Sequence, residues 1–162
     1  MKKLMLISAL ICSVLMSCSV EEPTNTLNTS TTTKQLEYKS IDYEIIEIIN
    51  NYRVSIGLNT LGLINKVSEE ALSHNAYMVN QGKPSHDFFY LRSQNLKNSI
   101  NAIKVSENVG FGFTNAQSIV NAWLNSEEHK QNIINPEFTN FGISTKQDEN
   151  GKNYFTNIYV KL

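Results

Sequence analysis

Residues 105–112 read Val105-Ser106-Glu107-Asn108-Val109-Gly110-Phe111-Gly112. One carboxylate, Glu107, stands among Val105, Val109 and Phe111, just ahead of two glycines. Val105 to Phe113 reads as an extended segment or loop ending at those glycines. Its neighbours predict at least partial burial of Glu107, although a lone glutamate in such a stretch is more often an exposed strand-face residue. A buried carboxylate without a partner rises in pKa or is forced into a pair, and a histidine is the natural partner. Upstream lies Ser85-His86-Asp87-Phe88-Phe89, and downstream Ser126-Glu127-Glu128-His129. The expectation is that His86, Glu107 and His129 meet in one cleft.

Working outward, the flanks are helical. Ile41 to Val54 carries apolar residues at 41, 45, 48, 49 and 52, one face of a 3.6-residue period. Ser40 is its expected N-cap and Gly57 its terminator. A second helix is expected over Lys66 to Asn80, with a stripe of Val67, Ala71, Leu72, Met78 and Val79. His74 sits on or beside that stripe, where a packed, hydrogen-bonded core histidine is the commoner reading. Gln81-Gly82-Lys83-Pro84 stops this helix. Ser93 to Lys104 is read as a third helix. Thr114-x-x-Gln117 fits a capping box opening a fourth, with Ala116, Ile119, Val120, Trp123 and Leu124 on one face. Ser126 is read as capping a further turn through Glu127, Glu128 and His129 to Ile133, ended by Pro136.

The C-terminus reads as a β-hairpin, Phe138 to Lys146 and Lys152 to Leu162, joined by Asp148-Glu149-Asn150-Gly151 with Asn-Gly at the turn. In the last strand, Tyr154, Thr156, Ile158 and Val160 share one face, and Phe155, Asn157 and Tyr159 the other. Both faces are apolar enough to be covered. That implies an α+β fold: a small, mostly antiparallel sheet with helices on both faces.

The N-terminus belongs to targeting. Lys2 and Lys3 precede an apolar run, Leu4 to Met16, too short to span a bilayer as a mature helix. Leu15-Met16-Ser17-Cys18 resembles a bacterial lipobox, with Cys18 the lipidated residue. Residues 1–17 are then a signal peptide, 18–40 a polar tether too poor in apolar residues to order itself, and 41–162 the folded domain. Acylation at Cys18 implies a membrane-anchored protein of the bacterial envelope, on the outer membrane or cell surface. Without Lys2 and Lys3 the 14 basic residues become 12, against 15 acidic, a net −3. No basic patch points to nucleic acid. Cys12 leaves with the signal and Cys18 carries lipid, so no disulfide is expected. A monomer is expected.

Other chemistries find little support. There is no His-x-x-x-His pair and no cysteine ligand set, so a zinc site on His86 and His129 has to be assembled by the fold. Ser85 lacks a nucleophile elbow, and Gly110-x-Gly112 lacks the further residues of a phosphate loop.

The blocks occur in a definite order: Ala71-Leu72-Ser73-His74-Asn75-Ala76-Tyr77-Met78; Ser85-His86; Ser106-Glu107-Asn108-Val109; Trp123-Leu124-Asn125-Ser126-x-x-His129-Lys130-x-Asn132-Ile133; Phe138-Thr139-x-x-Gly142; Tyr154-Phe155-Thr156-Asn157. This resembles the CAP or SCP superfamily (cysteine-rich secretory proteins, antigen 5 and pathogenesis-related 1 proteins) in its bacterial, disulfide-free branch. The resemblance implies an α-β-α sandwich and a cleft holding a His-Glu-Glu-His tetrad in eukaryotic members. By motif the first His matches His86 and the first Glu matches Glu107. The second Glu falls at Ser126 and the second His near Tyr154, so both are absent, while bacterial members carry a histidine here at His129. Ser106, Phe155 and Asn157 depart from the usual Gly, Trp and Gln.

The cleft residues so implied are His74, His86, Glu107, Trp123, Ser126, His129 and Tyr154. The first expectation for function is a lipid-tethered binding module for a small ligand, lipid, peptide or divalent metal, zinc among them. The alternatives are a hydrolase using His86, Glu107 and His129, and a structural domain in which these residues form a buried network.

Overall fold

A computed structural model describes residues 36–162. The stretch read as a signal peptide, Cys18 and most of the stretch read as a tether lie outside the described residues. The elements are α1 (Ser40–Ser55), β1 (Gly62–Leu63), α2 (Asn65–Gln81), α3 (Phe89–Ile100), β2 (Lys104–Phe111), α4 (Ala116–Asn125), α5 (Glu127–Ile134), β3 (Asn140–Gln147) and β4 (Asn153–Lys161). The sheet order is β1-β3-β4-β2. β1 runs parallel to β3, and the other pairings are antiparallel. The expected α-β-α sandwich is what forms.

Strand alternation sorts the two layers. Phe141, Ile143, Phe155 and Tyr159 pack with Ile45 and Ile49 of α1, Ile119, Val120 and Trp123 of α4, and Ile133 of α5. Ile158 and Val160 face the other way, onto Val67 and Ala71 of α2 and Leu96 of α3. β4 is buried from Asn153 to Val160, as a strand covered on both faces must be. Each fully buried aliphatic side chain here contributes about 1.5–3 kcal/mol. Two glycines set how closely the layers approach. A Cβ at Gly110 of β2 would collide with the Ile119 terminal methyl of α4, and one at Gly142 of β3 with the backbone of Val67 and Ser68 in α2.

Several boundaries differ from the sequence reading. The third helix spans Phe89–Ile100 rather than Ser93 to Lys104, bracketed by left-handed residues at Phe88 (φ 59) and Asn101 (φ 57). Lys104 begins β2 instead, so the stretch read as strand or loop is an edge strand. The cap of α4 is Asn115, whose side chain accepts from Ser118 N–H at 2.9 Å; Thr114 does not cap it. In α1 Ser40 is inside the helix, and the acceptor for the Lys39 N–H is Asp42 Oδ2 at 2.9 Å. Ser126 flanks α5, but no side-chain cap bond forms; its carbonyl accepts from Lys130 N–H at 2.8 Å. Leu72 is 39% exposed despite lying in the predicted stripe of α2. Tyr38, in the stretch read as tether, donates to Asn65 Oδ1 and lies 3.0 Å from Ser68 Oγ. Among the described residues, no helix is long and apolar enough to cross a membrane.

Candidate functional site

The edge strand β2 carries the site, and its alternation divides the work. Glu107 points to the α2/α3 layer and Asn108 to the α4/α5 layer. Glu107 is buried, and both its oxygens are engaged. Arg92 Nε donates to Oε2 and Nη2 to Oε1, each at 2.8 Å, while His86 Nδ1 sits 2.8 Å from Oε1. Burial pushes the Glu107 carboxyl up, but the bonds from His86 and Arg92 outweigh it and hold the group below its usual range. Glu107 is therefore an ionised, fully paired carboxylate. The partner that sequence reasoning missed is Arg92.

Arg92 also builds the loop that presents His86. Its Nη1 donates to the Asp87 carbonyl at 2.7 Å. Tyr77 O–H donates to Asp87 Oδ2 at 2.9 Å, and Ser85 Oγ accepts from Asp87 N–H at 3.3 Å. With Nδ1 committed to Glu107, His86 turns Nε2 outward, and its side chain is 53% exposed.

His74 lies beneath. Its Nδ1 is 3.2 Å from Thr156 Oγ1 and 3.7 Å from Glu107 Oε2. Thr156 donates onward to Asn75 Oδ1 at 2.7 Å, and Asn75 Nδ2 donates to the Ser144 carbonyl. Because the Thr156 hydroxyl proton is spent on Asn75, His74 Nδ1 must be the donor to Thr156. Nε2 is then a bare, buried nitrogen, and among the described residues no hydrogen-bond partner meets it. Burial drives the His74 pKa down to about 4 against the pull of Glu107, so the ring is neutral. His74 is a supporting core histidine.

On the other layer, Asn108 Nδ2 donates to the His129 carbonyl at 3.0 Å, and Asn132 Nδ2 donates to Asn108 Oδ1 at 2.8 Å. Ser106 Oγ donates to Asn132 Oδ1. These bonds tie α5 to β2. The far end of α5 is held by the buried Arg53, which donates to the carbonyls of Ile133 and Asn135. Burial, then the charge of His86, lowers the His129 pKa. His129 makes no bond to Glu107 or His86.

Between the layers' edges lies a cleft of about 320 Å³. Its floor is Val109, Gly110 and Phe111; its walls are Trp123, Ser126 and His129 on one side and Pro84 on the other. Trp123 Nε1 donates to the Val109 carbonyl at 2.9 Å. Of the expected cleft residues, Trp123, Ser126 and His129 line it. His86 stands on Glu107 at β2, two residues beyond the lining Pro84. His74 is buried behind Glu107, and Tyr154 is buried against Phe111, with ring centroids 4.6 Å apart.

The donor set does not fit a zinc ion. Glu107 already faces a guanidinium through both oxygens, so a cation would have to displace Arg92. Among the described residues, no three of His, Cys, Asp and Glu are grouped as metal ligands. His86 and His129 offer two nitrogens without a third protein ligand.

The family profile described as CAP: Cysteine-rich secretory protein family matches residues 46–160. This chain belongs to the CAP family. Its relatives include the uncharacterized protein YkwD of Bacillus subtilis (strain 168), 28% identical over 130 residues, covering 75% of this chain and 47% of that one. The uncharacterized membrane protein YlbC of the same organism is 24% identical over 121 residues, covering 73% of this chain and 34% of that one. The chain thus spans less than half the length of either. Among solved CAP-like folds, an outer surface protein from Borrelia burgdorferi superposes with a TM-score of 0.70 at 21% identity, covering 78% of this chain and 96% of that one. An extracellular protein containing an SCP domain from Bacillus anthracis gives 0.65 at 22% identity, covering 74% and 40%. The CAP domain here shares their fold.

Proposed function

We propose that this protein is an exported, lipid-anchored envelope protein whose CAP domain binds a ligand in the cleft along β2. Support for the anchor is the Leu15-Met16-Ser17-Cys18 segment and the surface or extracellular descriptions of two structural neighbours. The observation that carries binding over catalysis is the Arg92–Glu107 pair. A carboxylate that orients a catalytic imidazole raises its basicity through its own negative charge. Here both carboxylate oxygens are committed to a bidentate guanidinium, and the remaining bond from Glu107 fixes the direction of the His86 ring. The His129 ring lines the apolar cleft, and His86 Nε2, its ring oriented by Glu107, serves beside it as a hydrogen-bonding group.

Trp123 is the only tryptophan in the chain and lines the cleft, so its emission reports occupancy. With full-length protein in dodecyl maltoside micelles, titration with oleate or with capped seven-residue peptides is expected to shift that emission. The response should fall in His86→Ala and His129→Ala. A signal unmoved by every probe, or equally strong in both variants, would remove the cleft as a binding site.

A further inference from the structure

The floor of the cleft is a sheet edge, and its main-chain polarity can be worked out. Antiparallel pairing turns alternate residues toward and away from the partner strand. The N–H groups of Gly112 and Ile103, just beyond each end of β2, donate to the Asn153 and Lys161 carbonyls at 2.8 Å, while the Val160 carbonyl accepts from Thr139 on the β3 side. Odd residues of β4 therefore face β2. Their register partners are the even residues Ser106, Asn108 and Gly110. Glu107, Val109 and Phe111 consequently turn their main-chain groups outward. Two side-chain contacts agree: Asn132 Nδ2 reaches the Glu107 carbonyl at 3.4 Å, and Trp123 Nε1 the Val109 carbonyl at 2.9 Å. The register turns the N–H groups of Val109 and Phe111 away from β4, and among the described residues no side chain or loop carbonyl accepts from them.

We infer that the cleft takes an extended peptide, which lies along the free edge of β2 and pairs two of its carbonyls with the Val109 and Phe111 N–H groups. This rests on the reading of that cleft as a binding site and names its ligand class. The spacing selects the class. Two donors two residues apart on a strand are separated by about 7 Å, as are the carbonyls of residues i and i+2 in an extended peptide. A fatty acid has one carboxylate and cannot span both. Trp123 already occupies the Val109 carbonyl, so recognition at that residue runs from β2 donors to peptide acceptors only. The apolar wall of Phe113, Ile119 and Trp123 leaves room for a side chain from the added strand. The pocket is near the lower end of the roughly 300–1,000 Å³ typical of ligand sites, which suits a narrow extended segment. This is strand addition to an exposed edge, where main-chain bonds supply affinity and flanking pockets supply specificity.

The test is amide hydrogen exchange on the full-length chain in dodecyl maltoside micelles. Without ligand, Val109 and Phe111 should exchange much faster than Asn108 and Gly110; equal protection would show that the edge is closed and end the idea. The probes are capped heptapeptides alternating threonine with leucine, phenylalanine, lysine or glutamate, and oleate as the lipid. At least one apolar peptide should slow exchange at both Val109 and Phe111. Val109→Pro removes one donor where the ladder to β4 does not use it, and should weaken that peptide about tenfold relative to Val109→Ala. Equal binding by the two variants overturns the pairing. If a probe shifts Trp123 emission but leaves both amides unprotected, the cleft binds a ligand and the strand-addition inference fails alone. If oleate protects the amides and no peptide does, the occupant is a lipid and the inference is equally wrong.

Discussion

Arg92 and Glu107 meet through two parallel hydrogen bonds of 2.8 Å, Nε to Oε2 and Nη2 to Oε1, with both side chains buried. Such a fork is available to a guanidinium and not to an ammonium. Removing one member of a buried pair leaves the other charged and unpartnered, at a cost of about 3–5 kcal/mol. Arg92→Ala should therefore lower unfolding stability by roughly that amount, and Arg92→Lys should recover only part of it. Urea unfolding of the three proteins decides the matter. A loss under about 1 kcal/mol in Arg92→Ala would match a surface pair and contradict the burial described.

His74 gives a signed pH dependence. Its folded pKa, about 4, lies below the 6.5 of an unperturbed histidine, so between those values the unfolded chain binds the extra proton. Stability contributed by the neutral ring is complete above about pH 6.5 and is lost as the pH falls toward 4, at up to about 1.4 kcal/mol per pH unit. Glu107, with a lowered pKa, loses its contribution only further into acid. Asp42, whose carboxyl burial raises, pushes the other way. The readout is thus the difference between wild type and His74→Gln, not the wild-type curve alone. The variant should show a flatter stability profile from pH 6.5 to 4, and superimposable slopes would mean that His74 is already charged in the fold.

The layered fold was legible because its signals are periodic. Ile45 and Ile49, the Ala116 to Trp123 face and the two-sided last strand all declare burial through spacing alone. Glu107 and His86 were legible as a pair because an apolar setting demands a partner for a carboxylate. Arg92 was not, because it lies 15 residues from Glu107 in an irregular polar stretch, and nothing local distinguishes it from a solvated helix residue. One compositional hint exists: the chain has only two arginines among its 14 basic residues, Arg53 and Arg92, and both are buried. In a chain that uses lysine at the surface, an arginine marks a place that needs several fixed donors. The start of the third helix was misplaced for a different reason. Phe88 adopts a left-handed backbone there, a conformation no sequence rule assigns to phenylalanine.

Glu107 holds the exposed His86 and Asn108 the segment of the half-buried His129, from opposite layers, and the two supports should separate. Asn108→Ala removes the bond to the His129 carbonyl and leaves Asn132 Nδ2 with one long contact. The cost should be about 1–3 kcal/mol, with faster amide exchange across α5. The His86 ring, held by Glu107 in the other layer, should keep its chemical shifts. Comparable changes at His86 would show that the layers are coupled through β2 rather than held independently.

The two close-approach glycines should respond differently to the same added methyl group. In Gly110→Ala the obstacle is the end of the Ile119 side chain, which can be shortened. Overpacking of this kind costs about 1–3 kcal/mol, and Ile119→Val alone costs about 0.5–1.5 kcal/mol. The double variant should therefore be more stable than the sum of the two losses predicts, because the valine lacks the methyl that collides. In Gly142→Ala the obstacles are Ser68 N and the backbone carbon and Cβ of Val67, so α2 itself must move off the sheet. No side-chain truncation relieves that contact, and the loss should reach or exceed the upper end of the overpacking range, about 3 kcal/mol. Because α2 also carries His74, the shift should disturb the His74–Thr156 bond and move the His74 ring resonances, which Gly110→Ala should leave in place. Urea midpoints with unchanged m-values would give both energies on one scale. Simple additivity in the Gly110→Ala, Ile119→Val pair would mean that α4, not the isoleucine side chain, absorbs the added carbon.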